Sequence, residues 1–110
     1  MHTSVLYKLW ATVTGGNSGI GTETARVLAS RGCTVIITSR RKEAAEKAIQ
    51  QIKEKNGKPA DGEPSYGDVS YVLLDLADLD SVKAGGKDIL RKSKVLDYIV
   101  CNAGLFIPSK

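Results

Sequence analysis

The chain has 110 residues, 42% hydrophobic and 25% charged, the size and balance of one globular unit with a buried core, which argues against disorder. Its net charge of +4 comes from lysines spread over 40–58 and 83–94, and with only 5% aromatic residues it lacks the basic stripe interleaved with stacking rings that a nucleic-acid partner would want. Nowhere do about 18 apolar residues run together, and the first ten residues carry Lys8 and no apolar run of signal-peptide length, so no membrane segment is read and a cytoplasmic location is expected.

Residues 9–14 form a short run with Trp, Thr and Val that suits a buried first strand. It leads into Thr14-Gly15-Gly16-Asn17-Ser18-Gly19-Ile20-Gly21, where glycines at 15, 19 and 21 let the backbone turn sharply and approach a ligand. Residues 20–30 read as a helix, with Ile20, Ala25, Val27, Leu28 and Ala29 on one apolar face, Glu23 in the first turn, Arg26 and Arg31 towards the end, and Gly32 as the stop. Its N-terminus offers unpaired N–H groups and a positive dipole end to an anion such as a pyrophosphate.

Residues 33–39 are rich in β-branched residues, too continuous for a half-exposed strand, as in a strand buried on both faces. Residues 41–55 space Ala44, Ala45, Ala48, Ile49 and Ile52 as an amphipathic helix, and 56–68 hold Gly57, Pro59, Gly62, Pro64 and Gly67, a long loop. A third strand over 69–75 contains Val72, Leu73 and Leu74 and ends at an acidic residue. A third helix over 78–92 has Asp78 as N-cap, Asp80 in its first turn and Leu79, Val82, Ile89 and Leu90 inward. Gly85-Gly86 interrupts it, each glycine costing roughly 1 kcal/mol relative to Ala, so this helix is expected to be the weakest. Residues 95–101 make a fourth strand, followed by Asn102-Ala103-Gly104. Alternating strands and helices imply an α/β parallel sheet, and right-handed crossovers order it 3-2-1-4.

Cys33 and Cys101 fall at strand edges, too few for a disulfide framework or a zinc site, and His2 has no partners for metal or nucleophilic chemistry. The glycine turn lacks the lysine of a P-loop, since Thr22 follows Gly21. It also lacks the common Gly-x-Gly-x-x-Gly fingerprint, because Asn17 and Ser18 stand where a glycine is needed. Where an acidic residue after strand 2 would accept the ribose hydroxyls of NAD, this chain has Ser39-Arg40-Arg41. A guanidinium pairs with a 2′-phosphate, so NADP (NADPH) is preferred and NAD is the less favoured cofactor. Two solvated cations opening a helix are the plain alternative.

The glycine turn, Ser39-Arg40, Asp75-Leu76 and Asn102-Ala103-Gly104 together resemble the successive cofactor-site motifs of the short-chain dehydrogenase/reductase family, particularly its retinol-dehydrogenase-like and WW-domain-oxidoreductase-like members. The resemblance runs from about residue 8 to 104, nearly the whole chain. It implies a Rossmann-like doubly wound parallel sheet, here one incomplete NAD(P)-binding domain over 1–110. It further implies that Gly15, Asn17, Ser18, Gly19 and Ile20 line the pyrophosphate and ribose of a nicotinamide dinucleotide, and that Arg40 meets the 2′-phosphate. Asp75 and Leu76 would edge the adenine, and Asn102, Ala103 and Gly104 would lie under the adenosine ribose towards the nicotinamide. NADP-users of the family often carry a basic residue just before the second glycine of the turn; Ser18 stands here, leaving Arg40 and Arg41 to supply the charge.

The family's catalysis depends on a Tyr-x-x-x-Lys pair and an upstream Ser. Four residues after Tyr7, Tyr66, Tyr71 and Tyr98 come Ala11, Ser70, Asp75 and Asn102, none of them lysine, and Tyr98 is expected to pack within its strand. Two readings follow: the NADP(H)-binding part of an oxidoreductase whose carbonyl or alcohol substrate is handled by residues outside this chain, or a non-catalytic nucleotide-binding or interaction module. A third, a response-regulator-like or methyltransferase-type phosphate-binding fold, is excluded if NADPH binds tightly. The open apolar edge of strand 4 is expected to promote association.

Overall fold

The computed structural model describes residues 9–16, 19–59, 61–62, 66–93 and 96–101. Its elements alternate as β1 (Trp10–Thr14), α1 (Gly19–Ser30), β2 (Thr34–Ser39), α2 (Lys42–Asn56), β3 (Val69–Leu73), α3 (Leu79–Lys92) and β4 (Tyr98–Cys101). The four strands form one parallel sheet in the order β3-β2-β1-β4. β1 aligns Thr12 with Ile36 of β2 on one side and with Ile99 of β4 on the other, and β2 aligns Ile37 with Tyr71 of β3. This is the expected Rossmann-like arrangement.

β2 is the most deeply covered strand, as its unbroken β-branched run requires: Val35, Ile36 and Ile37 are fully buried. Side chains alternate between sheet faces. On the face shared by Ala11, Val13, Val35 and Ile37, α1 and α2 contribute Ala25, Ala29, Ala45, Ala48 and Ile52 to one core. Small residues let both helices lie close to the strands. The two helices are also joined by Arg26, whose guanidinium donates to Asn56 Oδ1 at 3.1 Å while Asn56 Nδ2 donates back to the Arg26 carbonyl at 3.2 Å.

Several inward assignments are overturned. At about 100° per residue, Ile20 and Val27 fall on the side of α1 away from the line of Gly21, Ala25 and Ala29, and Ile20 is 78% exposed. Because α1 begins at Gly19, Glu23 lies beyond its first turn and the last turn holds no basic residue. Glu23 pairs with Arg26 along the helix, and hydrogen bonding from that guanidinium, aided by its charge and that of Lys55, holds the Glu23 carboxyl below its usual range. β3 ends at Leu73, two residues short of the expected strand end, with Leu73 exposed, Val72 buried and Leu74, just beyond the strand, also buried. Tyr98 is half exposed rather than packed.

On the opposite face α3 packs against β3. Asp78 caps it, accepting from the Asp80 and Ser81 amides at 3.0 and 3.4 Å. Leu79 and Leu90, expected inward, are exposed. They sit about a third of the way round the helix from Gly85, the residue that meets the sheet. A Cβ at Gly85 would stand 2.7 Å from Leu74 Cδ1, so the glycine that weakens this helix locally is also what lets it approach. The long loop before β3 closes at Gly67, where a Cβ would come within 1.8 Å of the Cys33 carbonyl oxygen and whose amide donates to Ala29 O at 2.9 Å.

Candidate functional site

With all four strands parallel, everything that follows a strand gathers at one end of the sheet. That end carries the Gly15-Gly16 turn after β1, Ser39-Arg40-Arg41 after β2 and Asp75-Leu76 after β3. The strand order reverses between β1 and β4, the position where open parallel sheets take their ligands. Asn17, Ser18, Asn102, Ala103 and Gly104 lie outside the described residues.

Gly15 has φ 66° and Gly19 φ 20°, so the turn uses left-handed backbone that glycine adopts without a steric cost. The Gly15 amide donates to Thr38 Oγ1 at 3.2 Å, and Thr22 Oγ1 donates to the Gly16 carbonyl at 2.8 Å. Thr14 Oγ1 donates to Val100 O at 3.2 Å, tying the end of β1 to β4. Gly16, which the sequence reading did not single out, is needed for another reason: a Cβ there would lie 2.5 Å from Ile37 Cβ. Gly21 is buried inside α1 and contributes small size rather than the sharp turn expected of it. The first turn of α1 carries no carboxylate, and Ile20 stands exposed beside it. A helix start with a positive-φ glycine at Gly19, reached from another at Gly15, can receive an anion.

After β2, Ser39 is buried and its hydroxyl accepts from the Arg41 amide at 3.1 Å and donates to the Arg41 carbonyl at 2.9 Å. Arg40 and Arg41 are exposed. Arg41 is the N-cap of α2 and makes no side-chain capping bond. Three cations, Arg40, Arg41 and Lys42, thus precede or open a helix whose dipole already favours an anion, an arrangement that fits a phosphate. After β3, the Asp75 amide donates to Ser81 Oγ at 2.8 Å and Asp75 Oδ1 accepts from the Ala77 amide at 2.9 Å, which folds a compact turn before α3. Leu76 is half exposed at its tip.

A groove of about 510 Å³ between α1 and α2 is lined by Gly19, Thr22, Glu23, Arg26, Ile52 and Lys55. Its Arg26 and Lys55 both pair with Glu23, so little charge is left there to attract a phosphate. Among the described residues no cluster of His, Cys, Asp and Glu could hold a metal ion, and no helix is long and apolar enough to cross a membrane.

The sequence pattern of the family described as short chain dehydrogenase matches residues 9–110. The chain is 37% identical over 106 residues to the WW domain-containing oxidoreductase of Drosophila melanogaster, covering 96% of this chain and 24% of that protein. Among solved structures, menthone neomenthol reductase from Mentha piperita superposes with a TM-score of 0.75 at 40% identity, over 89% of this chain and 32% of that one. The RhlG/NADP active-site complex of Pseudomonas aeruginosa does so with a TM-score of 0.76 at 30% identity, over 94% and 38%. The chain spans about a quarter of the length of the curated relatives it matches.

Proposed function

The chain belongs to the short-chain dehydrogenase family, and from that premise we propose that it is the NADP(H)-holding part of an oxidoreductase that interconverts a carbonyl and an alcohol. The observation that carries the reading is the pair of anion-ready places at one end of the sheet: the left-handed glycine turn opening α1, and Arg40-Arg41 at the uncapped start of α2. Their separate positions suit the two phosphate groups of one dinucleotide, the pyrophosphate at the turn and the 2′-phosphate at the arginines. Gly15, Asn17, Ser18, Gly19 and Ile20 line the first, Arg40 and Arg41 the second, Asp75 and Leu76 the adenine edge, and Asn102, Ala103 and Gly104 the ribose towards the nicotinamide.

The nicotinamide, when bound, supplies the hydride chemistry; these residues bind and orient it. The proton-handling Tyr-x-x-x-Lys pair and the substrate pocket belong to sequence outside these 110 residues.

Titration of the purified protein with NADPH and NADH tests the reading. NADPH is expected to bind the more tightly, and Arg40→Asp to weaken NADPH by about 10- to 100-fold, the loss of one charged hydrogen-bonding pair, while NADH changes little. Equal losses for both cofactors remove Arg40 from the 2′-phosphate, and no binding of either by the unaltered protein overturns the reading.

A further inference from the structure

We propose that Thr38 and Ser39, consecutive at the end of β2, are positioning residues with separate duties: Thr38 holds the pyrophosphate turn and Ser39 sets the arginine pair. The inference rests on the dinucleotide reading above and assigns roles to two side chains that the reading itself does not need as ligands. Both residues are nearly inaccessible, Thr38 at 2% and Ser39 at 4% exposure, and burying a hydroxyl costs free energy unless it is hydrogen-bonded. Being adjacent in a strand, they face opposite sides of the sheet and serve different partners.

Thr38 reaches across to the neighbouring strand's exit, where its Oγ1 accepts the Gly15 amide at 3.2 Å, 23 residues away in sequence. That contact fixes the one residue of the turn held at φ 66°. Thr22 braces the following residue through Gly16 O at 2.8 Å. With its N–H held by Thr38, Gly15 shapes the turn that leads to the start of α1, where the helix dipole favours an anion. Thr38 therefore acts on the pyrophosphate, which NADPH and NADH share.

Ser39 closes a ring on Arg41 through both the amide and the carbonyl of that residue, with Arg40 at the ring's tip. Its hydroxyl proton is committed to Arg41 O, so Ser39 shapes the segment that reads the phosphate instead of donating to it. The carbonyl of Ser39 in turn accepts the Leu74 amide at 2.8 Å, which anchors the ring to the end of β3. Loss of the Ser39 hydroxyl should therefore be felt at the 2′-phosphate, which only NADPH carries.

The test compares NADPH and NADH dissociation constants for the unaltered protein, Thr38→Val, Thr38→Ser and Ser39→Ala, with amide hydrogen exchange of the Gly15 region measured without cofactor. Thr38→Val should weaken both cofactors by a similar factor, about tenfold for one buried acceptor removed, and Thr38→Ser should restore both to within about threefold. Ser39→Ala should leave NADH within about twofold and weaken NADPH by about five- to tenfold. In the free protein Thr38→Val should speed exchange at Gly15, and Thr38→Ser should not. Should Thr38→Val fail to fold, Thr38→Ala removes the same acceptor from the Gly15 amide and carries the same test.

A changed NADPH-to-NADH ratio in Thr38→Val, an unchanged affinity there, or equal losses in Ser39→Ala overturns the proposal. If the unaltered protein binds neither cofactor, the dinucleotide reading falls and these binding roles fall with it. The exchange data then show separately whether Thr38 holds the turn.

Discussion

On one face of the sheet α1 and α2 lie over Ala11, Val13, Val35 and Ile37 and leave them fully buried, whereas on the other α3 packs against β3 and Ile99 of β4 stays 63% exposed. The first face is built from small helix residues, Ala25, Ala29, Ala45 and Ala48, which bring two helices close over most of the strands. The second meets its helix through Gly85 against Leu74 and buries polar side chains as well, including Thr12, whose Oγ1 has no hydrogen-bond partner among the described residues. Apolar area removed from water is what stabilises such a fold. The α1–α2 face therefore carries most of the stability, and the α3 face contributes less per residue.

The sharpest test substitutes one isoleucine on each face. Ile52→Ala, at a position 2% exposed, should cost about 2–5 kcal/mol in urea unfolding, as buried truncations do. Ile99→Ala should stay within about 0.5 kcal/mol, as surface changes do; equal costs would break the comparison.

A smaller effect follows from Cys33 under the α1–α2 face. Burial, with the nearby Asp97 charge, raises its thiol pKa from 9.0 to about 11. The folded protein resists forming the thiolate that the unfolded chain forms readily, so this contribution is fully present below about pH 9 and is lost as pH rises through about 11. Unfolding free energy measured across that window should fall by on the order of 2 kcal/mol more for the unaltered protein than for Cys33→Ala.

The smallest effect separates two neighbouring glycines of α3. A Cβ on Gly86 meets nothing within 4 Å, so Gly86→Ala should raise stability by roughly 0.8–1 kcal/mol through helix propensity alone. Gly85→Ala gains the same propensity but must displace Leu74, an overpacking cost of about 1–3 kcal/mol, so its midpoint should not rise. A rise for both would show that α3 sits looser on the sheet than its contacts indicate.

Local chemistry made much of this legible in the sequence. The β-branched run of β2, the Asp78 cap and the stop at Gly32 depend on neighbours a few residues away, and strand order follows from alternation and crossover handedness. What was not legible depends on contacts between elements. Helical periodicity gathered Ile20 and Val27 with Ala25, but close packing on a sheet selected the small residues and turned the large ones outward. Gly16 and Gly85 are required by Ile37 and Leu74, residues with no local signature linking them. At the candidate site, the residue types at the strand ends could be read directly, while the bond from the Gly15 amide to Thr38 Oγ1, 23 residues apart in sequence, became visible only with the strands side by side.

The clasp at Gly67 has a consequence for tolerance to change. Its amide on Ala29 O, its backbone against Cys33 and the neighbouring bond from Val35 N to Asp68 O at 2.8 Å set the register of β3 from the loop's last residues. Length upstream is thereby uncoupled from the sheet. Residues inserted between Asp61 and Gly62 should leave the strands in place, which makes that turn the natural point for grafting a tag or reporter into the chain.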